Sequence, residues 1–232
     1  MAGTITHLAV AYEILKSLPD GIITNQDLFY AGSLAPDAIH AREGFIRADK
    51  KHTHLRDDIA DMDFLTIDNL SLFHTRVTDF INDNLDRKDD LLDLYRGYVV
   101  HLLTDETFHL TVRQEFVNEM DKLEIAQTDK LFYSNILHDL SSNDIRLAKE
   151  NNQMQHICNL LENVRPYAID SYLTENELKA SKNWVIQNYF YKENQISEFR
   201  YITYDRTLDY IKESAKDIIT RLSDGVMFPK IL

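Results

Sequence analysis

Apolar residues recur along the chain at spacings of three and four, the period of an amphipathic helix, and alternating β-branched runs are rare. The pattern predicts a first helix over 5–18, with Thr4 as its N-cap, and a short second helix over 25–34, capped by Asn25 and stopped at Pro36. Residues 37–62 read as a long, irregular, polar loop. Two long helices are predicted over 63–86 and 89–120, and the second half reads as helices near 128–139, 142–163, 174–194 and 205–223. The breakers agree, because the chain has only 6 glycines and 4 prolines and no proline between Pro36 and Pro166. No repeat, low-complexity stretch or linker interrupts the pattern. The expected fold is a single all-α domain over 1–232, a multi-helix bundle.

Composition adds limits rather than identity. With 232 residues and 44% apolar content, the chain can bury a large core without staples. A single cysteine, Cys158, rules out a disulfide within the chain and a cysteine-based zinc knuckle. The 38 acidic against 25 basic residues give a net charge of −13. Such a surface repels nucleic-acid backbones and anionic headgroups, so neither nucleic-acid binding nor stable membrane association is expected. No run of apolar residues is long enough to span a bilayer. Met1 to Pro19 lacks the apolar core of a signal peptide, so the expected compartment is the cytoplasm. The acidic clusters Asp57, Asp58, Asp61, Asp63 and Asp86, Asp89, Asp90, Asp93 read as solvated loops and helix starts.

The candidate chemistry lies in the first half, about 1–120, and leaves 121–232 as a helical remainder. Of 9 histidines, seven fall early: His7, His40, His52, His54, His74, His101 and His109. Imidazole is a common ligand for zinc and its neighbours, and carboxylates complete such sites. The sharpest signal is His101-Leu102-Leu103-Thr104-Asp105. Four residues apart on a helix, the imidazole and carboxylate point the same way and can share one ion. Leu94, Tyr98 and Asp105 fall within roughly 40° of one another on the helical wheel, which places Asp105 on the apolar stripe. A buried carboxylate needs a counter-charge. A metal would supply it, and so would an arginine or a buried histidine.

Three further segments carry ligand-type residues. Gly32-Ser33-Leu34-Ala35-Pro36-Asp37 holds a carboxylate just after a proline-stopped helix, though such an aspartate also caps turns. His52 and His54 sit at i and i+2, so in an extended loop only one would face a shared ion. His7 lies in the first turn of the first helix and equally suits a plain surface position.

In order, an N-terminal histidine, Gly-x-x-x-Pro-Asp, a loop histidine and His-x-x-x-Asp on a long helix resemble the zinc-dependent phospholipase C family. That family is all-α and is related to the fungal and plant single-strand nucleases. The quoted motifs span about residues 1–110. The resemblance implies that His54, His101, Asp105 and Asp37 surround one ion and that His7 with Asp105 holds another. His54 is preferred to His52 because of the His-Leu-Arg that follows the lysines. Asp37 is implied as both ligand and general base. His40, His52 and His109 are candidates for supporting or alternative ligation. Arg56, with Arg42 and Lys51 as alternatives, is a candidate for a substrate phosphate because the guanidinium fork matches phosphate oxygens.

The sequence departs from the family at definite points. The secreted members ligate metal through a mature N-terminal tryptophan, whereas six residues, Met1 to Thr6, precede His7 here. Thr111 stands where the family places a third-metal histidine, ten residues after His101, and His109 lies two residues short of it. A later His-x-x-x-Glu pair is missing, because Ser142 follows His138 and Leu160 follows His156 at that spacing. The resemblance therefore implies a centre of one or two zinc ions, with manganese, iron or nickel as substitutes. The expected activity is hydrolysis of a small-molecule or lipid-derived phosphoester. A catalytically inactive helical scaffold with a residual metal is the alternative. A phosphohydrolase of the HD type would need a His-Asp step on a helix, and the one such step, His138-Asp139, comes late in the chain without a ligand at the usual distance before it.

The aromatic residues of the second half, Trp184, Tyr189, Phe190 and Tyr191, read as core.

Overall fold

The computed structural model describes residues 1–87 and 89–232. It is all-α, and among the described residues its only extended pairing is one bridge, Ile169 with Leu173. The helices are α1 (Thr4–Ser17), α2 (Gln26–Leu34), α3 (Arg47–Thr53), α4 (Ile67–Leu85), α5 (Leu92–Leu110), α6 (Val112–Lys122), α7 (Lys130–Glu150), α8 (Asn152–Asn163), α9 (Glu175–Val185) and α10 (Tyr204–Ser223).

Several predicted boundaries need correction. Residues 37–62 are not one loop: a 3-10 turn runs over Ala35–Ala41, α3 follows, and a second short 3-10 turn covers Asp61–Asp63. The segment is polar because α3 is short and mostly solvated, which hides a helical period. The helix expected over 89–120 breaks at Thr111, whose φ of −121° and ψ of −93° end α5 and start α6. The expected gap at 140–141 does not exist: α7 runs through it and the chain breaks at Asn151, whose side chain caps α8. The helix expected over 174–194 ends sooner, passing at Ile186–Tyr191 into a π-helical turn. Gly3, not Thr4, is the N-cap of α1. Asn25 occupies the N-cap of α2, but its side chain makes no capping bond. Buried Asp93 does that work, accepting from the backbone of Thr24 at 2.9 Å and of Asn25 at 2.7 Å.

α5 forms the axis. It is buried on every side from Leu94 to His109 apart from Arg96, and α2 packs on it more extensively than any other pair of elements does. The close crossing depends on two glycines. A Cβ on Gly97 would lie 2.1 Å from the Phe29 carbonyl oxygen, and one on Gly32 would lie 2.0 Å from that of Leu94. Both are impossible contacts, so only glycine lets the two backbones meet. The result is that the end of α2 and the Pro36-Asp37 turn are pressed against the middle of α5.

The second half braces this arrangement. Apolar packing runs as one cluster from Ala2 to Ile231. Asp144 on α7 accepts from the Thr6 amide at 3.0 Å and the Thr6 hydroxyl at 2.9 Å, which holds the start of α1 in place. Arg42 reaches Glu177 at 2.5 Å and the Tyr172 carbonyl at 2.9 Å, tying the turn after Asp37 to α9 and the segment before it.

Candidate metal centre

Five side chains from four segments converge beside α5: His7 from α1, Asp37 from the 3-10 turn, His54 from the end of α3, and His101 and Asp105 from α5. His7, His54, His101 and Asp105 are all at most 4% exposed. Two sets of ligand atoms, one from His7, His101 and Asp105 and one from Asp37, His54 and His101, each lie within 4.8 Å of one another.

The protonation pattern follows from the surroundings. His101 Nδ1 lies 2.8 Å from the Ser33 carbonyl oxygen, and His54 Nδ1 lies 2.9 Å from that of Lys50. A carbonyl only accepts, so both Nδ1 atoms carry hydrogen and donate. Burial depresses the pKa of both rings, His101 strongly, which keeps them neutral. Each Nε2 is therefore a bare lone pair. These two lone pairs face each other at 3.3 Å. Asp37 Oδ1 lies 3.4 Å from His54 Nε2, and Asp105 Oδ2 lies 3.6 Å from the same atom and 3.9 Å from His101 Nε2.

The cluster is thus composed of acceptors turned toward a common centre. Asp105 Oδ1 accepts from the Ala2 amide at 2.8 Å, but Oδ2 is buried and has no partner among the described residues. Neither nitrogen of His7 has one, although Nε2 lies 3.3 Å from Asp105 Oδ1. The His7 ring stacks on that of His101, centroids 3.8 Å apart and planes within 6°. Burial raises the pKa of Asp105, but the Met1 amine, itself lowered by burial to about 6, and contact with His7 outweigh it and hold the carboxyl well below its usual range. Burial likewise opposes ionisation of Asp37, and Lys50 with His54 overcomes it. Convergent lone pairs and carboxylate oxygens with orphaned buried atoms fit a divalent cation of the zinc class.

The other sequence candidates lie outside the cluster. His52 points away, 3.1 Å from Asp57 and stacked on Tyr172. His40 is exposed, and its Nδ1 lies 3.0 Å from the backbone oxygen of Asp37 rather than from its carboxylate. His109 is buried against Phe64, one turn beyond Asp105. Arg56 is buried over Phe64. Arg42 is engaged with Glu177, and Lys51 donates to the Ile59 carbonyl at 2.8 Å. His138 and Asp139 form no second centre, because Asp139 accepts the backbone amides of Arg200, Tyr201 and Ile202.

Some participants were invisible in the pattern. Lys50 is buried and its Nζ lies 2.5 Å from Asp37 Oδ1, while its carbonyl orients His54. Thr53 Oγ1 donates to the Pro36 carbonyl at 2.9 Å, and the Tyr98 hydroxyl donates to the Thr53 carbonyl. Only recognition of α3 as a helix could have pointed to Lys50, four residues before His54.

Fold and site together describe an all-α protein with a buried histidine–carboxylate cluster positioned to hold a cation. The chain belongs to the zinc dependent phospholipase C family, which it matches over residues 6–223. The likeness therefore extends through the second half, well beyond the motifs near 1–110. No curated protein and no solved structure matches the chain. Among the described residues, no helix is long and apolar enough to cross a membrane.

Proposed function

We propose that the protein is a zinc-dependent hydrolase of phosphoesters, with His7, Asp37, His54, His101 and Asp105 as its metal ligands. The observation that carries this reading is the pair of bare Nε2 atoms at 3.3 Å beside Asp37 and Asp105, two lone pairs that repel each other unless a cation lies between them. Asp105 turns Oδ1 toward His7 and Oδ2 toward His54, so it suits a bridging role between two ions. Zinc in such a site would polarise a phosphoryl oxygen and supply a water of lowered pKa.

The chain's own residues complete the chemistry. The Ser33 and Lys50 carbonyls fix the tautomers of His101 and His54 so that lone pairs face the centre. Asp37 is the most exposed of the five, its side chain 21% accessible, and it suits the role of accepting a proton from the attacking water. Lys50 holds that carboxylate in place. The substrate class this reading favours is a small or lipid-derived phosphodiester.

A second reading rests on a specific observation. Thr111 stands where a third-metal ligand is expected and is also where α5 ends, so that position leaves the helix facing the site. A residual metal without turnover would then brace a scaffold. Hydrolysis of bis-(p-nitrophenyl) phosphate and p-nitrophenyl phosphorylcholine by zinc- or manganese-loaded protein separates the two. Turnover that disappears in His101→Ala supports the hydrolase. Full metal occupancy with no turnover of either ester supports the scaffold.

A further inference from the structure

Arg56 has no role in the metal cluster, yet its burial demands an explanation. Its side chain is only 9% exposed, and Nε and Nη2 have no hydrogen-bond partner among the described residues. Buried guanidinium N–H groups left unpaired are unfavourable and point to an unseen anion or water. The nearest carboxylate, Asp61, lies 3.7 Å from Nη2 and is already held by Arg47 at 2.9 Å.

The backbone turns Arg56 inward deliberately. Leu55, between His54 and Arg56, adopts φ of 55°, a left-handed conformation that leucine rarely takes. This turn brings both neighbours into the interior, His54 at 3% and Arg56 at 8% exposure. The guanidinium then lies over Phe64, 3.7 Å from Cζ to the ring centroid. Stacking uses the face of the guanidinium, and the N–H groups Nε and Nη2 on its edge stay buried and unpaired among the described residues. His109 approaches the same ring from another side, centroids 5.3 Å apart at 74°. His109 lies four residues past Asp105 and so shares its face of α5. Burial, then the Met1 amine, Arg56 and Arg113, lower the pKa of His109, and Arg113 also acts on Arg56. In a chain of net charge −13, the arginines Arg56 and Arg113 act together here, beside the ligands His54 and Asp105.

We propose that Arg56, seated on Phe64 with His109 beside it, forms an oxyanion subsite next to the metal cluster that takes a phosphate group. Its role toward substrate rests on the hydrolase reading above, but its binding of phosphate does not.

Calorimetric titration of inorganic phosphate tests the subsite, using wild type, Arg56→Gln, Arg56→Lys and His109→Gln, each metal-loaded and chelated. Wild type is expected to bind phosphate in both states. Arg56→Gln is expected to weaken binding at least about tenfold in both, the loss of one charged hydrogen bond. Arg56→Lys is expected to lose less, and bound metal to stay unchanged. His109→Gln, from the α5 side, weakens binding in the same direction and serves as the readout if Arg56→Gln does not fold. Chelated wild type that fails to bind phosphate at about 10 mM, or binding unchanged by both the Arg56 and His109 substitutions, overturns the subsite. Protein that holds no metal but loses phosphate binding in Arg56→Gln would sink the hydrolase reading and leave the subsite standing.

Discussion

Asp105 and Glu106 are consecutive acidic residues on α5, both buried, yet they live in opposite electrostatic settings. Glu106 is closed off: Oε1 lies 2.6 Å from His74 Nε2 and Oε2 lies 2.6 Å from Arg221 Nη2. Arg221 is a permanent cation, so the charge is settled within the protein. Asp105 has no arginine within ion-pair distance among the described residues; three imidazoles and a second carboxylate gather at its oxygens or beside them, and Oδ2 is orphaned. Burial of a carboxylate therefore does not mark a metal site. What distinguishes the Asp105 cluster is the set of acceptor atoms left without donors: Asp105 Oδ2 and the facing Nε2 atoms of His54 and His101.

This comparison predicts contrasting mutants. The largest effect on function is expected for His101→Ala and Asp105→Ala. Either should remove bound metal and lower hydrolysis by more than the roughly 10–100-fold typical of residues outside the ligand set. Elemental analysis and initial rates check it, and a variant that keeps full metal and activity breaks the assignment. Glu106→Ala should do the reverse. It leaves Arg221 with Asp217 as its carboxylate partner, 3.2 Å from Nη1, and should destabilise by about 1–3 kcal/mol while metal per folded chain stays unchanged. Urea denaturation of the metal-free protein reads the first part and metal analysis the second.

A comparable loss of stability is expected at the helix crossing. Gly97→Ala should destabilise by about 1–3 kcal/mol, because the backbones of α2 and α5 must separate. It should also weaken metal binding, because Asp37 follows directly from α2. A zinc titration of the variant shows whether stability and metal affinity fall together; loss of stability alone would mean that the crossing does not position the site.

The pH response sharpens the same contrast. His54 and His101 are held neutral in the fold but regain their ordinary pKa of 6.5 when it unfolds. As pH falls below that value, the unfolded chain takes up more protons, so stability falls. Asp144 acts in the opposite sense. Burial raises it from 3.8 to about 6, so its uptake of a proton in the fold stabilises between those values. Asp37 and Asp105, held low, matter only at still more acidic pH. Four histidines with lowered pKa, His40, His54, His101 and His109, against one aspartate give a net loss of stability between pH 7 and pH 5 in chelated protein. Denaturation midpoints across that range check the sign, and His101→Gln should flatten the curve. The smallest effect belongs to His52→Ala, where stability should change by less than about 0.5 kcal/mol and metal content not at all.

The fold was legible because scarce glycine and proline and a steady helical period dictate helices. Where the reading failed, the local cause is visible. α3 is short, with only Lys50 and Thr53 buried along it, so its period was too weak to see, and the segment passed for a loop. The break at Thr111 falls within a run with no glycine or proline, and nothing in the residue types announces it. In the site, the residues with two partners in fixed spacing, His101 with Asp105, were readable from one helix. Lys50, Ser33 and Thr53 were not, because they act through backbone carbonyls or across a turn, and sequence carries no record of where a carbonyl points. Arg42 and Lys51 looked available as basic residues but are spent on Glu177 and the Ile59 carbonyl.

The most direct measurement is the metal content of protein purified without chelator, joined to zinc X-ray absorption of the same sample. The account predicts about one or two equivalents per chain, bound through imidazole nitrogen and carboxylate oxygen with no sulfur, and lost in His101→Ala. Protein that carries well under one equivalent and takes up no zinc, manganese, iron or nickel on back-titration would contradict it.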